Sequence, residues 1–61
     1  MRQWLKDLRQ SAKLTMKELA AKAGISECYY SQIESGHRRP AVDVAKKIAT
    51  VLDIPWDRFF E

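Results

Sequence analysis

The 61-residue chain is sparing with residues that break or cross-link a backbone: it has two glycines, two prolines and one cysteine. So little punctuation leaves room only for short connections and favours an all-helical fold. A single cysteine, Cys28, cannot close an internal disulfide, and a cytoplasmic location is the natural reading. The one histidine, His37, lies in a basic stretch without spaced carboxylate or cysteine partners. Neither a zinc-binding cysteine/histidine set nor a glycine-rich phosphate loop is present, so no catalysis, cofactor, metal or small-molecule ligand is expected. No apolar run approaches the ~18 residues of a membrane span. Arg2, Lys6, Asp7 and Arg9 interrupt the N-terminal stretch, which leaves no apolar core for a signal peptide.

What the chain does have is apolar bulk throughout its length, with 46% hydrophobic residues. That argues for a folded unit, one domain over residues 1–61, and against disorder. A chain of this size buries about 60% of its unfolded surface, enough for marginal stability. Eleven Lys/Arg against 8 Asp/Glu give a net charge of +3. Such an excess permits nucleic-acid binding but also suits any slightly basic domain, so the placement of charge has to decide.

Leu5, Leu8 and Ala12 recur at helical spacing beside Trp4, which predicts a first helix over 2–12 that ends near Lys13-Leu14. Thr15-Met16-Lys17-Glu18 is a capping box and starts a second helix through Leu19, Ala20 and Ala23. Gly24 is placed to end that helix with a left-handed residue. Ile25 plugs the turn, and Ser26 caps a third helix whose inward side is Tyr30 and Ile33, with part of Tyr29. Gly36 closes it in the same way as Gly24. His37-Arg38-Arg39-Pro40 is then a basic loop. A fourth helix is expected from Val42 to Leu52, with Ala45, Ile48, Ala49 and Leu52 inward. Pro55 can open a last short helix carrying Trp56, Phe59 and Phe60.

Two short helices around a glycine turn, followed by a basic loop, are the sequence form of a helix-turn-helix. The chain resembles the lambda-repressor/Cro-like (Xre) family of DNA-binding regulators. The matching residues are Leu14-Thr15, Glu18-Leu19-Ala20, Ala23-Gly24-Ile25-Ser26, Tyr30-Ser31, Ile33-Glu34, Gly36 and Arg39-Pro40, then Ala45, Ile48, Ala49, Leu52 and the final aromatics. The resemblance implies a compact five-helix, all-α DNA-binding domain with the helix-turn-helix at helices 2 and 3. It also implies a transcriptional repressor that reads the major groove of double-stranded DNA with the helix at about 26–35.

By position, Glu27, Cys28 and Gln32 correspond to the family's base-facing sites, with Ser31 beside them. A helical wheel agrees, because these four lie opposite Tyr30 and Ile33 and so must be exposed. The Gln32 amide can pair with adenine N6 and N7, and a Glu27 carboxylate can accept from cytosine N4. Glu27 can equally serve as a first-turn acid on the helix dipole. Cys28 is a small side chain that can meet a thymine methyl. Its place near a helix N-terminus also leaves a redox role conceivable, though no second cysteine is there to resolve an oxidised thiol. Lys17, Tyr29, Arg38 and Arg39 are candidate phosphate contacts, with Lys13 and His37 weaker ones. The family pairs an Arg on helix 1 with the Glu ending helix 3, which here are Arg9 and Glu34.

Three positions depart from the family pattern. Met16 stands where many members carry a phosphate-bonding Gln, and a thioether is a poor substitute. Lys13 and Asp53 occupy helix ends where glycine is often seen. A palindromic operator is expected, with a homodimer formed through the C-terminal region of Trp56, Phe59 and Phe60. The competing reading is a small helical protein-binding module of antirepressor or antitoxin type. Such a module would tolerate loss of Arg38 or Gln32 and fail when an exposed apolar patch is altered.

Overall fold

Four left-handed residues divide the chain: Lys13 (φ 60°), Gly24 (φ 73°), Gly36 (φ 86°) and Asp53 (φ 58°). Each ends a helix by one pattern, in which two successive amides turn back onto the last carbonyls. At the first end Leu14 N–H donates to Arg9 O and Lys13 N–H to Gln10 O; at the second, Ile25 N–H donates to Ala20 O and Gly24 N–H to Ala21 O. His37 and Gly36 repeat the pattern on Gln32 and Ile33, and Ile54 and Asp53 repeat it on Ala49 and Thr50.

The computed structural model describes residues 1–60. Between the stops lie α1 (Gln3–Ser11), α2 (Met16–Ala23), α3 (Glu27–Ser35) and α4 (Val42–Leu52). A 3-10 segment, Trp56–Phe60, follows. The expected fifth helix is therefore a 3-10 segment, a form closed by i→i+3 bonds and used in short pieces. Among the described residues there is no strand, and no helix is long and apolar enough to cross a membrane.

The starts of α2 and α3 follow their caps. Thr15 Oγ1 accepts from Glu18 N–H at 3.1 Å, and Glu18 Oε1 accepts from Thr15 N–H at 3.0 Å. Ser26 Oγ accepts from Tyr29 N–H at 3.1 Å. Helices α1 and α4 open on Arg2 and Ala41 without a side-chain cap.

The core takes Leu5 from α1, Leu19, Ala20 and Ala23 from α2, Tyr30 and Ile33 from α3, Val44, Ala45, Ile48 and Ala49 from α4, and Phe59. Helix α2 packs against both α3 and α4, α1 packs against α3, and the 3-10 segment lies on α4. Three expectations shift. Ala12 is exposed, because the chain is already turning out of α1 there. Ile25 and Leu52 line the core edge and, like Leu8, are only half-buried. The C-terminal aromatics separate: Phe59 is 5% exposed and edge-on to Trp4 at 5.1 Å, whereas Trp56 is 38% exposed.

Candidate nucleic-acid interface

Helix α3 is held to the body from beneath and at its C-terminal end. Underneath, Glu34 is a buried carboxylate at 5% exposure. Its Oε1 accepts from Arg9 Nε at 2.8 Å and from the Tyr30 hydroxyl at 3.0 Å. Arg9 Nη1 also donates to Leu14 O at 2.9 Å, which ties α1 to the segment leading into α2. The Glu34 carboxylate raises the Arg9 pKa by hydrogen bonding, against the opposing effect of burial. Burial, then the neighbouring Glu34 charge, pushes the Tyr30 hydroxyl well above the ordinary tyrosine value.

The outer side of α3 carries the candidate reading residues. Glu27 and Cys28 are exposed, and Cys28 is a free thiol. Ser31 and Gln32 were expected to be exposed but are half-buried. The chain after Gly36 turns back onto the end of α3, and His37 and Arg38 N–H both donate to the backbone carbonyl of Gln32 at 3.0 and 3.2 Å. Ser35 Oγ bonds the same carbonyl at 3.1 Å and lies 2.8 Å from His37 Nδ1.

The basic loop is consequently well anchored. The Arg38 guanidinium lies over the Tyr29 ring, 5.5 Å from its centroid, and Arg39 lies 5.0 Å over Phe60. Such stacking orients an arginine without consuming its charge. Tyr29 is half-buried, and its hydroxyl accepts from Ala41 N–H at 3.4 Å while its own proton remains to be donated. Pro40, the last residue of the loop, is buried. Lys17, in the first turn of α2, and Lys13 and His37 are exposed. Met16 packs against the core edge. Among the described residues no group of His, Cys, Asp and Glu is arranged to hold a metal ion.

Arg2 and Ser35 escaped the sequence reading. Ser35 sits two residues before a histidine at a helix end, a local signal that side-chain bonding could have flagged. Arg2 reaches carbonyls 31 and 36 positions away, which no local pattern announces.

A protein-family profile described as Helix-turn-helix matches residues 5–59. The chain is 46% identical over 61 residues to the uncharacterized HTH-type transcriptional regulator YqaF of Bacillus subtilis (strain 168), covering 100% of this chain and 80% of that protein. It is 41% identical over 54 residues to the HTH-type transcriptional repressor RghR of the same strain, covering 87% of this chain but 40% of RghR. Among solved structures, the N-terminal DNA binding domain of SinR from Bacillus subtilis matches with a TM-score of 0.86 at 30% identity, over 97% of this chain and 87% of that one.

Proposed function

This chain belongs to the helix-turn-helix family of DNA-binding transcriptional regulators, and from that premise we propose that it is a cytoplasmic repressor reading the major groove with α3. The observation that carries the reading is the mounting of α3. The Arg9–Glu34–Tyr30 cluster fixes the helix from below, its outer edge is left open, and the loop that follows it presents two stacked arginines. Phosphate contacts fix register and base contacts supply sequence information. In this scheme Lys17, Tyr29, Arg38 and Arg39 serve the phosphates, and Glu27, Cys28, Ser31 and Gln32 face the bases. The first turn of α4, which follows the loop with no side-chain cap, offers further amides to a phosphate. Gln32 is the residue best equipped to select a base, through adenine N6 and N7.

The family is one of transcription regulators rather than enzymes. A two-fold dimer through the exposed Trp56 and the half-buried Phe60 extends the proposal. Phe59 is spent in the core and cannot take part. Such a dimer would place half-sites about 34 Å apart on a palindromic operator.

Selection of bound fragments from random duplex DNA tests the proposal. A palindrome should be enriched, and Gln32→Ala should relax one position of each half-site at a cost of about 1–3 kcal/mol. Three lysine and arginine phosphate contacts per domain predict a slope of about −2.7 in log affinity against log salt for one domain and about −5.4 for the dimer on its palindrome. Absence of enrichment at low salt would transfer the case to a protein partner. Sedimentation showing only monomer, with and without DNA, would remove the dimer.

A further inference from the structure

The N-terminal end of α1 does more than start a helix. Arg2 is half-buried, and its backbone N–H donates to Glu34 O at 2.8 Å. Its guanidinium Nη1 donates to Ile33 O and reaches Arg38 O at 3.4 Å. One residue thus serves two carbonyls of the last turn of α3 and one carbonyl of the basic loop. A helix C-terminus leaves such carbonyls without intrahelical donors and carries negative dipole charge, so a planar, permanently charged donor fork suits the place. The neighbouring chain fits closely as well: a Cβ built on Gly36 would stand 3.2 Å from Met1 N.

We propose that Arg2 is a positioning residue for nucleic-acid binding: it locks the loop 37–40 to the end of α3 and so sets where Arg38 and Arg39 stand relative to the reading edge. The proposal rests on the DNA-binding reading above. The loop's other backbone ties all run to α3: the amides of His37 and Arg38 bond Gln32 O, and just beyond the loop Ala41 N–H bonds the Tyr29 hydroxyl. Arg2 grips the backbone at Arg38 from a different element, and this joins the loop to α1 as well as to α3. Loss of the guanidinium removes the loop's tie to the start of α1 and loosens its backbone at Arg38, while the Gln32 bonds, the stacked rings and the buried Arg9–Glu34 pair remain.

Arg2→Met keeps an unbranched stem and removes the side-chain donors. In the free protein, amide exchange at His37 and Arg38 should quicken about fivefold while the core amides of Leu19 and Ile48 keep the wild-type rate. Binding to a random-sequence duplex pool at low salt should weaken by about the same factor. Arg38→Ala should then cost less in the Arg2→Met background than in the wild type, because the two changes disable one device. Unchanged exchange at residues 37 and 38 would overturn the proposal. So would fold-changes that multiply independently, with the salt slope falling by about one unit for each, since that describes Arg2 as a separate phosphate ligand. If the wild type itself binds no duplex, the DNA-binding reading fails and the exchange measurement alone decides the role of Arg2. Should Arg2→Met not fold, Arg2→Gln, with a shorter polar side chain and no charge, is read by the same two measurements.

Discussion

Glu34 shows how one residue can be structural and still serve the site. Its carboxylate is buried, so it needs partners, and Arg9 and Tyr30 supply them from two directions. A buried ion pair adds little net stability because desolvation offsets the attraction, but removing one partner leaves an uncompensated charge. Arg9→Met should therefore cost about 3 kcal/mol in urea unfolding, whereas Tyr30→Phe, which removes one hydrogen bond and keeps the ring, should cost about 1 kcal/mol. Equal losses for the two would refute this division of roles. The Arg9–Glu34 pair was suggested by family resemblance alone. The Tyr30 contact emerges only in the structure, although residues 30 and 34 lie one turn apart on the same helix face. Gln32 is half-buried rather than exposed; a helical wheel sees only the helix and not the chain that turns back onto its end.

At the scale of elements, the helix ends decide the layout. Four left-handed stops are needed and glycine fills two of them, so Lys13 and Asp53 hold φ values that side chains adopt at a cost. Lys13 is exposed, so its replacement trades little but that strain against the extra freedom of an unfolded glycine. Lys13→Gly should raise stability by roughly 0.5 kcal/mol, seen as a higher urea midpoint at unchanged slope. A lower midpoint would mean that the lysine stem contributes packing that outweighs backbone relief. Caps and stops are recognised within four or five residues. For that reason the Thr15–Glu18 box, the Ser26 cap, both glycines and the bounds of α4 were readable from sequence. The last segment was harder, because α and 3-10 turns share the same composition in so short a stretch.

The whole molecule spans 25 × 21 × 20 Å, so the core is little more than one layer of side chains shared by all elements. Tyr30 lies at its centre with no exposure. Its folded pKa is raised, so the native state keeps a proton that the unfolded state releases above about pH 10. Stability is then complete below that pH and falls as the pH rises beyond it. Glu18 works in the opposite sense: the Thr15 amide and hydroxyl lower its pKa, so its contribution is present above about pH 4.3 and fades as the pH falls. Thermal melts against pH should show a plateau with an acid shoulder that Glu18→Gln removes and an alkaline decline that Tyr30→Phe reduces. A decline unaltered by Tyr30→Phe would place the alkaline sensitivity elsewhere. The sequence by itself determined the four α-helices, their stops and the edge of α3 that carries Glu27 and Cys28, because caps, periodicity and left-handed turns act between near neighbours. Tertiary structure alone decided that Arg2 grips the basic loop, that Phe59 is core while Trp56 stays outside, and that the arginines are stacked on rings. Those outcomes depend on which distant surfaces meet, such as the contact across 36 positions between Arg2 and Arg38, and no local pattern encodes them.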